Sequence, residues 1–180
     1  VVHPVRREDA GTASKSVFNL FYLNAFYAGD GIMVYGEGLQ TTMTAGGYRW
    51  NYFSGALDVV AHELTHGVTD YTSGLIYRNE SGALNEAFSD IMGTSVEFYF
   101  QQVGTGYMKA DYLMGEDLTN PMAGFRSMAN PAAYADPDHY SRRYTGTADN
   151  GGVHRNSGIA NHTFYLAIES GTNRTSGLSV

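Results

Sequence analysis

The stretch His62-Glu63-Leu64-Thr65-His66, followed by Asn85-Glu86-Ala87-Phe88-Ser89-Asp90, decides how the rest of this chain is read. A helix sets residues four apart about 40° from each other in projection, so His62 and His66 share one face. Glu63 falls about 100° further round, near enough to reach a water beside the histidines but turned away from the pair itself. Two imidazoles and one carboxylate form the donor set of a zinc ion that keeps a position open for chemistry, and Glu86 is the best candidate for the third ligand. The plain alternative is two core histidines beside a surface glutamate. A second segment rich in carboxylates weighs against it.

Working outward, Ser54 is a candidate N-cap for the helix carrying the histidines, and Leu57, Val60, Ala61, Leu64, Val68 and Tyr71 trace one apolar stripe along it. A second helix is expected from about Ala83 to Gln101, with Leu84, Phe88, Ile91 and Val96 facing a core. A third is expected from near Ser157 to about Ile168. Ile32 to Tyr35, between Asp30-Gly31 and Gly36, reads as a strand bounded by turns. Val17 to Tyr27 reads as a short helix running into a strand, and residues 40 to 52 as a loop or hairpin. Residues 1 to 15 carry no periodic pattern and read as an irregular lead-in. Residues 104 to 152, rich in Gly, Pro, Asp and Asn, predict a long irregular segment that needs something to pin it, and bound metal would serve.

Composition narrows the partners. Hydrophobic residues make up 43% and charged ones 16% of the 180, which is globular material with one substantial core or two small lobes. No apolar run approaches the roughly 18 residues of a membrane span, and no signal peptide is visible. With no cysteine, a transition metal must be held by nitrogen and oxygen. A net charge of −7 argues against a nucleic-acid partner.

The chain strongly resembles the thermolysin-like neutral metalloproteases. The segments that carry the likeness are Asp58 to His66, Gly74 to Tyr77, Asn79 to Ala83, Asp136-Pro137-Asp138-His139-Tyr140 and Asp149-Asn150-Gly151-Gly152-Val153-His154, within a match that runs from about residue 22 to 168. The resemblance implies an α+β, two-lobe zinc protease. Residues 1–72 would be part of a β-containing N-terminal lobe ending in the zinc-binding helix, and residues 73–180 part of a mainly α-helical C-terminal lobe. The chain departs from the family in lacking much of the first lobe and the last helices of the second, so it is expected to be a fragment of a larger mature enzyme.

The same resemblance assigns roles. His62, His66 and Glu86 would hold zinc, with Glu63 as the general base that moves a proton from the attacking water to the leaving amine. Asp90 would orient His62 and Asn85 would support His66, since metal-bound histidines donate their other ring N–H to an oxygen. His154, oriented by Asp149, and Tyr77 would donate to the developing oxyanion. Arg126 would hold the substrate backbone. Phe53, Val59, Met114, Leu118 and Phe125 would form an apolar pocket for the residue after the scissile bond. Asn24 and Ala25 would pair with extended substrate as an edge strand. Asp58, Glu97, Asp111 and Glu116 would hold calcium. His3, His139 and His162 have no assigned role. The expected protein is therefore a monomeric extracellular endopeptidase of peptide or protein substrates, needing zinc and calcium, with no membrane or nucleic-acid partner.

Two rivals stand beside this reading. An aminopeptidase would need a group to bind the free amino terminus, and no Gly-x-Met-x-Asn-like segment of that kind is present. A non-catalytic, metal-stabilised fragment acting as a binding or structural module would have no need of a base beside its metal.

Overall fold

Phe53–Gly55 form a 3₁₀ turn that buries Phe53, and helix α1 (Leu57–Tyr71) starts directly after Ala56. Ser54 therefore lies one turn upstream of the helix it was expected to cap. Gly74 ends α1: at φ +57° it turns the chain left-handed, and its N–H donates to the Thr69 carbonyl over 2.8 Å. Helix α2 (Asn79–Phe100) follows after a short link, and α3 spans Asp149–Glu169. The computed structural model describes residues 2–5, 14–17, 22–39 and 42–180.

Helices α1 and α2 meet along polar faces. The buried side of α1 is Asp58, Val59, Ala61, His62, Glu63, Thr65 and Thr69, while that of α2 includes Asn85, Glu86, Ser89, Asp90, Thr94 and Glu97. A Cβ added at Gly93 would fall 2.5 Å from the Asp58 carbonyl oxygen, so glycine is what lets the two backbones approach there. This corrects the apolar stripe expected to face a core on α2, and on α1 only Ala61 of the stripe is buried and only Val60 packs against the core. Val68 is 52% and Leu84 is 53% exposed, and Leu64, Tyr71 and Phe88 also face outward. A repeat of 3.6 identifies a helix with two unlike faces but not which face the neighbour takes. Here ion pairs and hydrogen bonds have taken the polar one.

Strands β1 (Val2–Val5), β2 (Ser14–Val17), β3 (Ala25–Tyr27) and β4 (Ile32–Tyr35) form one sheet in the order β1-β2-β4-β3. The β2–β4 pair is parallel and the others antiparallel, with Phe26 opposite Val34. The lead-in expected over residues 1 to 15 thus contains paired strands. Val17 ends a strand, and the rest of the helix expected before β3 falls partly outside the described residues. Ala25, Met33, Tyr35, Phe53, Ala56, Val59 and Leu118 form the apolar core between this sheet and the start of α1.

Residues 104–148 are largely irregular, as expected, and are held by short pairings such as Leu113–Met114 with Arg126–Ser127. The α3 run is entered at Asp149, but its regular helix begins at Val153, four residues before the expected Ser157. Its first turn is unusual: Asn150, Gly151 and Gly152 have φ of 49°, 89° and 80°. Residues that ordinarily break helices here build a left-handed entry to one. Among the described residues no helix is long and apolar enough to cross a membrane.

Candidate metal and catalytic site

The polar α1–α2 interface opens into a cleft of about 740 Å³ whose walls include Asn24, Ala25, His62, Glu63, Tyr77 and His154. Asn85 fixes one histidine. Its amide nitrogen donates to the Leu75 carbonyl at 3.1 Å, so its oxygen faces His66 Nδ1 at 2.8 Å. That oxygen can only accept, so His66 carries its proton on Nδ1 and presents a bare Nε2. His62 Nδ1 lies 2.8 Å from Asp90 Oδ1, which orients its ring in the same sense.

The two bare nitrogens converge. His62 Nε2 and His66 Nε2 are 3.0 Å apart, and Glu86 lies 3.5 Å from the first and 3.2 Å from the second. Tetrahedral bonds of usual zinc length separate neighbouring ligand atoms by roughly 3.4 Å. Glu86 Oε2 is buried without a hydrogen-bond partner, in keeping with a lone pair meant for an ion. Spacing, tautomers and this orphaned oxygen all fit zinc.

Buried charge here is balanced by buried charge. Arg126 donates through Nε and Nη2 to the two oxygens of Asp90 at 2.8 and 2.6 Å, and Asn161 Nδ2 adds a third bond at 2.8 Å. Burial works against the Asp90 carboxylate, but Arg126 and His62 outweigh it and hold its pKa at about 2. Glu86 is likewise held well below the usual carboxylate range, because His62, His66, His154 and Arg126 overcome its burial. Burial would lower His62, yet its bond to Asp90 and the charges of Glu86 and Glu63 raise it to about 9, so its Nε2 must give up a proton before it can meet zinc as a bare nitrogen. Burial raises Glu63, and the two histidines and a backbone bond from Tyr27 oppose that rise.

Across the cleft, His154 Nδ1 lies 2.6 Å from Asp149 Oδ1, and the His154 backbone N–H donates to Asp149 Oδ2 at 3.0 Å. His154 Nε2 then sits 3.1 Å from the Tyr77 hydroxyl and 3.4 Å from Glu86 Oε1. The Tyr77 hydroxyl donates to that same Glu86 oxygen. Both candidate oxyanion donors thus point at the rim of the metal position, brought there by the left-handed entry to α3. Arg126 lines the cleft with its guanidinium engaged by Asp90. Strand β3 lies at the edge of its sheet, which leaves one side of Ala25 and its neighbours open to pairing.

Phe53, Val59, Met114 and Phe125 line the cleft, but Leu118 does not: it is fully buried in the core beneath. The carboxylate group differs in membership from the one expected. Glu97, Glu116 and Asp117 place oxygens within 4.8 Å of one another, with Asp58 among the charges acting on them. Asp111 is only half-buried, its carboxylate accepting from the Leu113 N–H at 2.7 Å. Asp117 was overlooked although it stands beside Glu116 in sequence. Asn161 gave no signal, because it reaches Asp90 only through the fold.

The comparisons follow this geometry. Residues 73–180 match the alpha-helical domain of thermolysin metallopeptidases, and residues 4–70 match their catalytic domain. The chain belongs to the thermolysin metallopeptidase family. Its match begins well before residue 22, where the recognisable motifs start. It is 56% identical over 153 residues to a bacillolysin of Bacillus caldolyticus and to a thermolysin of Alicyclobacillus acidocaldarius subsp. acidocaldarius, covering 83% of this chain and 26% of each relative. A bacillolysin of Bacillus cereus is 52% identical over 169 residues, covering 91% of this chain and 27% of that one. The chain spans about a quarter of the length of these thermolysin-family relatives. The solved precursor of protealysin, a metalloproteinase from Serratia proteamaculans, superposes with a TM-score of 0.70 at 38% identity, covering 88% of this chain and 50% of that one. The thermolysin-like α+β fold is therefore shared.

Proposed function

We propose that this chain carries the catalytic centre of a secreted zinc endopeptidase. His62, His66 and Glu86 would hold the zinc, which when bound supplies positive charge that polarises water and the scissile carbonyl. Glu63 takes the proton of the attacking water and delivers it to the leaving amine, and its burial suits a base whose carboxylate is not fully solvated. His154, held by Asp149, and Tyr77 donate to the oxygen on which negative charge develops. Asn24 and Ala25 on the sheet edge align an extended peptide. Phe53, Val59, Met114 and Phe125 favour an apolar residue just after the cleaved bond, and Arg126 braces the substrate backbone from the cleft wall. Residues 1–72 act as the β-containing lobe and 73–180 as the helical one, with α1 between them.

Calcium is the second cofactor of this reading. Glu97, Glu116 and Asp117, with Asp58 and Asp111 around them, offer only oxygen, and the oxygens of Glu97 and Glu116 are buried without hydrogen-bond partners. Such a group, set where α2 meets the irregular segment, would pin that segment.

The observation that carries the proposal is the convergence of two bare imidazole nitrogens and one orphaned carboxylate beside a second, buried glutamate. Glu63→Gln should keep its zinc and lose about a thousandfold or more of its rate on a quenched apolar peptide. Full activity in that variant would end the assignment of Glu63. A second reading, a metal-stabilised binding module, draws on the exposed apolar faces of α1 and α2. A parent chain that binds zinc stoichiometrically yet cuts no peptide would favour it.

A further inference from the structure

A second concavity, of about 510 Å³, lies outside the cleft and shares no lining residue with it. Arg142, Arg143 and Arg155 line it, and Asp136 is its one carboxylate. Three guanidinium groups against one acid is a marked local excess in a chain with net charge −7 and only 11 Lys and Arg residues. Two of the three sit over aromatic rings: Arg143 lies 4.1 Å from the Tyr140 ring centre, and Arg155 lies 4.8 Å from that of Tyr144. Stacking occupies a guanidinium's face and leaves its donor edges free for oxyanions.

The existing contacts of these groups are few. Arg155 Nη2 donates to the Ala135 carbonyl at 3.3 Å, Arg143 Nη1 donates to the Tyr140 carbonyl at 3.3 Å, and Arg143 Nε stands 3.6 Å from the largely exposed Glu80. The Arg142 guanidinium has no partner among the described residues. Asp136 is half-buried and feels both Arg126 and Arg155, so it does not neutralise the groove alone.

We propose that this groove binds a short acidic stretch of polypeptide, with neighbouring carboxylates taken by Arg142, Arg143 and Arg155. Its volume of about 510 Å³ exceeds what one small oxyanion fills, and three guanidinium groups line it. A long polyanion such as nucleic acid would be repelled by the rest of the molecule, whereas a few side-chain carboxylates would not. Tyr144 lies directly against Gly152, so the occupant would sit behind the turn that carries His154, outside the cleft.

Fluorescence anisotropy on the whole chain tests this without any need for peptidase activity. A labelled hexapeptide with four glutamates should bind, its glutamine counterpart should not, and binding should weaken as salt rises. Arg142→Ala should weaken it by about tenfold or more, the usual size of one charge-assisted hydrogen bond. Arg142→Glu should abolish it, and Lys109→Ala, which makes the same charge change as Arg142→Ala but elsewhere, should leave it unaltered. Arg142 is exposed, and an unchanged melting temperature would show that its variants stay folded. Equal losses in Lys109→Ala and Arg142→Ala would overturn the proposal, as would equal binding of the two peptides. Inorganic phosphate displacing the peptide at the same concentration as the peptide's own Kd would show a small-oxyanion site instead and would also overturn it.

Discussion

Helix α2 contributes to two groups of buried carboxylates, with Glu86 and Asp90 in one and Glu97 in the other, and they are treated oppositely. At one end Glu86 and Asp90 share their burial with Arg126, His62 and His66, and both are held below the usual carboxylate range. At the other end Glu97 meets only Glu116, Asp117, Asp58 and Asp111, and burial together with those like charges pushes it up to about 9 and Glu116 to about 8. The first group is charge-complete within the protein, so its geometry is set before any ion arrives. The second is not, and must take up protons or a cation. Preorganisation for chemistry and dependence on solution conditions thus sit on one helix, separated by Gly93 where α1 comes closest.

That contrast can be broken at several points. Asp90→Ala should show the largest effect, since it strands the largely buried Arg126: a stability loss of about 3–5 kcal/mol in denaturant titration. A competition titration on the same variant should show zinc affinity down roughly 10- to 100-fold. A neutral outcome in both would mean the network is not charge-complete as described.

At the other group, calcium should raise the melting temperature by binding only the folded state. The gain is about 2.7 kcal/mol when free calcium is a hundred times its Kd. Glu97→Gln should remove most of that gain, and a calcium response that survives in this variant would place the ion elsewhere.

The chelated protein should also respond to pH with a defined sign. Glu97 and Glu116 have folded values raised from 4.5 to about 9 and about 8, so between those limits the folded state binds more protons than the unfolded one. Stability then falls as pH rises from about 5 to about 9, and saturating calcium should flatten the slope. Urea unfolding of the chelated protein across that range is the measurement; a rising curve would contradict the assignment. The smallest effect is expected from Asn85→Ala, about a tenfold loss of zinc affinity with little change in fold stability.

How much of this could be read in advance followed the range of each interaction. His62, Glu63 and His66 were legible because a helix fixes their mutual position over one turn, and Glu86 because it sits in a second compact segment of the same kind. The strand Ile32 to Tyr35 was legible from its flanking turns. The apolar stripes of α1 and α2 were real, yet their direction depended on which face found partners, and that is decided by contacts across tens of residues. Asn161 and the burial of Leu118 are of that long-range kind, whereas Asp117 had a local signal in its place beside Glu116. The start of α3 differed for a local reason: Asn150-Gly151-Gly152 reads as a break and its backbone angles are indeed non-helical, but regular helix resumes at Val153, earlier than the expected Ser157.

The entry to α3 has one more consequence. From Asp149 to Gly152 four successive residues adopt positive φ, and a methyl group on Gly151 would collide with the Asn79 side chain at the start of α2. His154 is therefore aimed by a joint between two helix beginnings, to which the fully buried Val153 is also packed. A single added carbon at that joint would turn the imidazole away from the metal position without touching any residue of the site.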